Sequence, residues 1–441
     1  MKYNYWVKSG AYSSLNRISE FGFSFISFLC LVRMLSKEEF GIWVLFMSIY
    51  AIIDMSRTGF LQNGMIRFIL SESNKFYSKI LTSGLVLSFF LTFIIILILL
   101  LGAGYIEVWL NAANLSKIIF IHCIALPFMA LHTIGTIIMQ AKLNFRALFI
   151  GGLFKSIPFT GYIIYAYFYA DSPSLIDIAW VFNISLLIGT LAVLIMTWKD
   201  LSVDKKPSKL WIGRIFHFGK FVFGTNLISV IYNSLDKLLI GALLSPMQVA
   251  YANTASKVLN LIEVPVFAIT SISLPKAASL NPTSDKMEIK AIYEKSIGAM
   301  LALSLPLVIV CLIFSKEIIW FMAGDRYMNA VPFLQIIVLV SLIKPFDRQA
   351  GVFLDAMNKP YINMMLSLIT FIVALSASLI LITTIGFIGA AYAILFALLV
   401  TAMIKQYFMR KYLLVSFSHT LYYMIRFYVK VINKVLNPKK A

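Results

Sequence analysis

Leu85-Val86-Leu87-Ser88-Phe89-Phe90-Leu91-Thr92-Phe93-Ile94-Ile95-Ile96-Leu97-Ile98-Leu99-Leu100-Leu101 runs without a charge, and its polar side chains are the hydroxyls of Ser88 and Thr92. As a helix this run is about 25 Å long. A few flanking residues extend it across a hydrocarbon core of roughly 30 Å. A helix apolar on every side belongs in lipid or deep inside a large core, and the rest of the chain decides between the two. The 441 residues are 60% hydrophobic and 13% charged, with a mean hydropathy of +0.88. Soluble domains carry about 25% charged residues, and a single soluble core does not grow to this size without splitting into domains. No polar linker between soluble modules is visible. The run belongs in lipid.

Windows of about 19 residues give twelve spans, near 12–32, 41–63, 81–104, 118–139, 148–169, 177–198, 219–243, 250–274, 296–315, 330–346, 361–383 and 386–408. The fold class expected is an all-α polytopic membrane protein of about twelve transmembrane helices. Lys2 and Lys8 lead into a long segment lacking a small-residue cleavage site, so no cleavable signal peptide is expected.

The net charge is +19. The positive-inside rule explains the basic excess without nucleic acid, and no basic stripe interleaved with aromatics lies outside the membrane zones except in the C-terminal tail. With the N-terminus inside, even-numbered loops and both tails hold 28 Lys and Arg. The opposite loops hold five: Arg33, Lys37, Lys117, Lys316 and Arg326. Both termini are therefore expected to be cytoplasmic. Cys30, Cys123 and Cys311 are isolated in apolar runs without metal-ligand spacing.

An internal repeat is readable. Met34-Leu35-Ser36-Lys37-Glu38-Glu39-Phe40-Gly41 joins spans 1 and 2, and Leu243-Leu244-Ser245-Pro246-Met247-Gln248-Val249-Ala250 joins spans 7 and 8 at an offset of 209 residues. Six spans separate the copies, which predicts two parallel six-helix lobes, 1–200 and 219–408, joined by a cytoplasmic linker at 201–218. The remainder, 409–441, is a basic tail. Within it Arg426, Lys430 and Lys434 recur on one stripe beside Tyr422, Ile425, Val429 and Ile432. That suits an amphipathic helix on an anionic leaflet or one packed on the cytoplasmic loops.

Charges near a bilayer centre cost about 2.5–3.5 kcal/mol each, so they need a wet cavity or a partner. The spans hold Arg17 and Glu20, Asp54 and Arg57, Lys155, Asp236 and Lys237, and Lys257 and Glu263. Arg17/Glu20 and Asp54/Arg57 are three apart, close enough to pair along a helix. Asp236 and Lys237 are adjacent and diverge by about 100°. For Glu20, Asp54 and Glu263 one reading is ion-paired glue between helices, and for Arg17 it is snorkelling to the interface. For Lys155, Lys237 and Lys257 the carboxylates are too few to neutralise everything. A cavity with five cations against four anions would attract a phosphorylated ligand, with Arg as a bidentate fork and Lys as a point charge.

Pro127, Pro158, Pro265, Pro306, Pro332 and Pro345 fall within or at the ends of spans and permit kinks. Gly151-Gly152 and Gly386 to Ala391 suit close helix packing. His122 and His132 lie ten residues apart on different faces, a poor metal pair. No phosphate-binding glycine loop, nucleophile elbow or metal motif occurs, and the outward loops are too short for a catalytic domain. An enzyme is not expected, nor is a cofactor or metal.

Arg17-Ile18 followed by Arg33-Met34-Leu35-Ser36-Lys37-Glu38-Glu39-Phe40-Gly41 resembles the opening of bacterial polysaccharide flippases of the O-antigen flippase (Wzx) type. These belong to the multidrug/oligosaccharidyl-lipid/polysaccharide exporter superfamily. Asp236 to Gly241, Ala255-Ser256-Lys257, Pro265 to Pro275 and Gly386-Phe387-Ile388-Gly389-Ala390-Ala391 resemble later parts of the same pattern, in order. The resemblance implies two lobes forming a V, as in multidrug and toxin extrusion (MATE) transporters. It implies an undecaprenyl-diphosphate-linked oligosaccharide, such as an O-antigen repeat unit, moved from the cytoplasmic to the periplasmic leaflet of a bacterial inner membrane. Arg17, Arg57, Lys155, Lys237 and Lys257 then become candidate headgroup contacts. Glu20, Asp54, Asp236 and Glu263 become candidates for coupling or for holding those cations. Membrane lipids, and the polymerase and chain-length proteins of the same pathway, are the implied partners.

Two rivals differ in what they need. A cation-coupled multidrug exporter of the same superfamily would favour carboxylates in its cavity. A glycan polymerase or ligase would carry a large external loop, and none is present.

Overall fold

Ser36 shows how this sequence sets a helix end. Its hydroxyl accepts from the Glu39 N–H at 3.2 Å, and the Glu39 carboxylate accepts from the Ser36 N–H at 3.1 Å. Such reciprocal capping satisfies donors that a helix start leaves orphaned, and it separates α1 (Lys2–Met34) from α2 (Lys37–Ser71). Ser174 and Asp177 repeat the device at the head of α6 (Leu175–Thr197). Between them lie α3 (Tyr77–Trp109), α4 (Leu115–Ala141) and α5 (Phe145–Tyr169). Next come α7 (Lys209–Leu243), α8 (Pro246–Ile262), α9 (Val264–Ala278) and α10 (Lys286–Ile313). The chain continues through α11 (Ser315–Ala323), α12 (Val331–Ile337), α13 (Val340–Ala356), α14 (Pro360–Ile385), α15 (Phe387–Leu413) and α16 (Phe417–Leu436).

The computed structural model describes residues 2–169, 173–278, 280, 284–357 and 359–436. Among these no strand occurs. Residues 437–441 of the basic tail, and the side chains of Lys2, Lys8, Ile432 and Lys434, lie outside the described residues. The protein is an all-α polytopic membrane protein.

Nine described helices are long and apolar enough to cross a membrane, and two bent pairs raise the number to as many as eleven. The bent pairs, α8 with α9 and residues 325–337 with α13, turn by 45° and 49°. They coincide with the expected spans 250–274 and 330–346. Pro265 sits just after the first break, whereas the second falls between Ile337 and Val340 with no proline at the bend. The helix over the expected span 219–243 is α7. It has 35 residues, about 52 Å of length, and is not one of those nine.

Contacts group the chain into two compact units, Met1–Ala250 and Tyr251–Ala441. In the first, α4 packs on α3 and α6, α5 joins α6 to α1, and α2 lies along α7. Glycines set the α2–α7 distance: a Cβ on Gly219 would lie 2.2 Å from the Phe60 carbonyl oxygen. On α3, Phe90, Phe93, Ile98 and Leu101 are exposed while Ser88 and Thr92 are buried. The apolar stretch therefore turns its hydrocarbon outward, and Ser88 donates to the Ala130 carbonyl at 3.4 Å.

In the second unit α10 packs on α9, α13 and α16, while α15 packs on α12, α13 and α14. Ile297, Ala350, Phe353, Leu354 and Met409 form its core. The α14–α15 turn depends on Gly386 at φ +74°, a region costly for side chains bearing a Cβ. A Cβ on Gly389 would stand 1.9 Å from the Leu381 carbonyl oxygen. Close packing is what this glycine segment was expected to provide.

Candidate functional site

Arg57 organises the interior of the first unit. It is 1% exposed, although its α2 backbone lies in a predicted span. Its Nη2 donates to Asp54 Oδ1 at 2.8 Å, one turn earlier, and its Nη1 donates to Thr133 Oγ1 on α4 at 3.2 Å. Nε is buried without a hydrogen-bond partner among the described residues. Asp54 keeps 35% of its side chain accessible, so the ion pair has one dry end and one open end. A guanidinium with a donor in reserve can still engage an oxyanion.

Lys155 approaches the same place from α5. Its charged and polar neighbours are Tyr50, Asp54 and Glu20. It is held there by close helix contact, since a Cβ on Gly189 of α6 would meet Lys155 Cβ at 2.7 Å. Gly152 allows α1 to approach in the same manner: a Cβ there would lie 2.6 Å from Asn16 Oδ1 and 3.7 Å from Glu20 Oε1. Glu20 accepts from Asn16 Nδ2 at 3.2 Å, and Arg17 is exposed. The first unit thus brings Arg57, Lys155, Asp54 and Glu20 together.

Two histidines lie close to this cluster, and the sequence marks them only as a poor metal pair. His122 is fully buried with its ring against Phe46, Tyr50 and Phe182. Asn183 Nδ2 donates to the Ala179 carbonyl, so its Oδ1 is the acceptor facing His122 Nδ1 at 2.8 Å. Nδ1 therefore carries the hydrogen. His122 Nε2 and His132 Nδ1 are buried without partners among the described residues. Both rings lie within electrostatic reach of Arg57 and Asp54. Ten residues is nearly three helical turns, so the two rings sit at different depths along one helix. Among the described residues no group of three His, Cys, Asp or Glu could hold a metal.

Asp236 and Lys237 lie half-buried on α7, where Lys237 Nζ donates to the Asn233 carbonyl at 3.4 Å. The second unit holds Lys257, half-buried on α8, and Glu263, which is 5% exposed at the break between α8 and α9. Glu263 is ion-paired with Lys344 of α13. Arg348 lies over the Phe267 ring at 3.7 Å, and Asp347 pairs with Lys405 of α15 at 2.7 Å.

Lys344 and Arg348 lie within α13 and Lys405 within α15, where Lys405 is 5% exposed. The i, i+3, i+4 spacing of Lys344, Asp347 and Arg348 marks one polar face of α13 and could have revealed them. Inside this unit Glu263 and Asp347 each hold a lysine, whereas in the first unit Nε of Arg57 has no partner among the described residues.

Known proteins bear on this arrangement. The family model described as polysaccharide biosynthesis protein matches residues 30–332. A relative in Haloferax volcanii, described as probable low-salt glycan biosynthesis flippase Agl15, is 23% identical over 54% of this chain and 50% of its own length. An uncharacterized membrane protein of Methanocaldococcus jannaschii is 24% identical over 47% of this chain and 41% of its own length. The chain therefore spans about half the length of the curated relatives it matches.

Among solved structures, lipid II flippase MurJ in an inward closed conformation superposes with a TM-score of 0.79 at 12% identity, covering 99% of this chain and 94% of that one. An inward-facing multidrug resistance MATE transporter of the MOP superfamily gives 0.75 at 13% identity, covering 88% and 93%. At such identities the likeness is one of fold. Matched over more than half its length, the chain belongs to the polysaccharide biosynthesis protein family.

Proposed function

We propose that this protein is a flippase that carries a lipid-linked glycan across the membrane, binding the anionic headgroup at Arg57 and Lys155. The observation that carries the reading is the state of Arg57. A buried guanidinium holding one carboxylate and one hydroxyl, with Nε unpaired, has capacity for a phosphate oxygen. Lys155 beside it adds a mobile positive charge. His122 and His132 lie near the same charges with ring nitrogens that lack partners among the described residues, and Nε2 of His122, bare because Nδ1 carries the hydrogen, can accept from a sugar hydroxyl. Family membership supports a glycan substrate, and the superposition on flippase and exporter structures supports transport by a conformational cycle. Transport is therefore preferred to catalysis.

The finer reading retains an undecaprenyl diphosphate carrier, an O-antigen-like repeat unit and a bacterial inner membrane. Both termini then face the cytoplasm, as the asymmetry of Lys and Arg supports. Two parallel six-helix lobes, a polymerase and chain-length proteins as partners, and supplementary contacts from Arg17, Lys237 and Lys257 belong to the same proposal. Asp54, Glu20, Asp236 and Glu263 would hold those cations or couple the cycle.

The test is proteoliposome transport of a fluorescent prenyl-diphosphate-linked sugar, with cationic dye uptake measured in parallel. Movement of the glycan lipid that is lost in Arg57→Gln and Lys155→Gln, with no dye movement, is the expected result. Dye transport without glycan-lipid transport would instead identify a drug exporter.

A further inference from the structure

The sequence after Asp355 contains no acidic residue, and within that stretch α16 presents two unlike faces. One face is clamped to α10. The Ser416 N–H donates to Glu294 Oε1 at 2.8 Å, and Tyr428 Oη donates to the Ala302 carbonyl at 2.6 Å. Between them Gly298 lies so close that a Cβ would stand 2.9 Å from the Thr420 carbonyl oxygen and from the Met424 nitrogen. These contacts advance in the same order along both helices. From Ser416 to Tyr428 α16 rises about 18 Å, while α10 rises about 12 Å from Glu294 to Ala302. The helix therefore descends obliquely beside α10, into its apolar stretch, and does not lie across its end.

The other face is open. Tyr422, Ile425 and Val429 are exposed, as are Arg426 and Lys430 beside them. Helical side chains lean toward the N-terminus of their helix. On α16 that direction leads back to the level of Lys290, Lys295, Arg410 and Lys411, the basic ends of α10 and α15. Arg426 already leans this way, its guanidinium 6.0 Å from the Tyr422 ring centroid one turn earlier. The short apolar side chains thus stay near the level of their own turns while the long cationic ones can return to the shallower level, which is how snorkelling side chains divide between acyl chains and headgroups.

We infer that α16 is a leaflet anchor. Ile425 and Val429 enter the acyl region of an acidic phospholipid leaflet, and Arg426 and Lys430 bind its phosphates. The choice of occupant rests on charge complementarity, since this face carries two cations and the stretch from Met357 onward contributes no carboxylate. Placing that leaflet on the cytoplasmic side rests on the orientation proposed above. The contacts with lipid themselves do not require transport.

The test labels Val429→Cys in the full-length protein with an environment-sensitive fluorophore, using the chain's own three cysteines as the labelling blank. In nanodiscs, quenching by brominated phosphatidylglycerol is compared with quenching by brominated phosphatidylcholine and by an aqueous nickel chelate. Phosphatidylglycerol should be favoured by about fivefold per basic side chain. Arg426→Gln with Lys430→Gln should abolish that preference while leaving helicity and thermal midpoint unchanged, and Arg426→Lys should retain it. A label quenched mainly from water, quenched equally by both lipids, or shielded from all three quenchers would overturn the inference. The last result would mean that a second copy or another protein covers the face. None of these readings depends on transport activity.

Discussion

Gly41 and Pro246 meet at closest approach: a Cβ built on Gly41 would lie 1.8 Å from the Pro246 carbonyl oxygen. They occupy the two eight-residue segments that the sequence shows as a repeat, so the repeated turns face each other within the first unit. Backbone cannot yield as a side-chain tip can, so Gly41→Ala should cost about 1–3 kcal/mol of overpacking. It should appear as a lower thermal midpoint in detergent. Gly104→Ala, with nothing within 4 Å of the added Cβ, is the matched control. Equal midpoints for the two variants would show that the turn has slack.

The helices were legible because lipid imposes a simple rule: about twenty apolar residues in a row, with charges expelled. Ten of the twelve expected spans correspond to single helices. The two that break, at Glu263 and at residues 338–339, were unreadable from windows, since hydropathy averages over a bend. The candidate site is legible in part, since charge alone marks Asp54, Arg57 and Lys155. His122 escaped because an uncharged ring in an apolar run resembles packing, and its significance depends on Asn183 sixty-one residues away. Lys405 escaped because its partner Asp347 lies on another helix, and a window cannot pair them.

The Asp54–Arg57 pair should separate stability from transport. Removing one partner of a buried pair strands the other charge, at a cost of about 3 kcal/mol or somewhat less where one group is a third exposed, as Asp54 is. Asp54→Ala should therefore lower the thermal midpoint. Asp54→Ala with Arg57→Met should recover most of that loss and remain inactive in glycan-lipid transport. Recovery of transport in the double variant would remove Arg57 from the binding site.

In the second unit the pairs should be structural first. The side chains of Lys405 and Asp347 are 7% and 23% exposed, and Lys405→Ala leaves a carboxylate inside α13's packing. A loss of about 3 kcal/mol is expected, relieved when Asp347→Asn is added. Thermal unfolding of the two variants and the double variant closes the cycle. A coupling near zero would show that solvent already reaches Asp347.

Gly189 offers a way to move Lys155 without changing its charge. A Cβ there would meet Lys155 Cβ at 2.7 Å and Cα at 3.0 Å, so α5 must shift or rotate to admit it. Gly189→Ala should cost about 1–3 kcal/mol through overpacking. It should also lower the rate of glycan-lipid transport more than Gly135→Ala, whose added Cβ meets the buried Val193 side chain at 2.3 Å, away from Lys155. The comparison matters because both changes add one methyl group within the first unit, and one of them touches the backbone that aims the lysine. If both variants slow transport to the same degree, general packing and not the position of Lys155 limits the cycle.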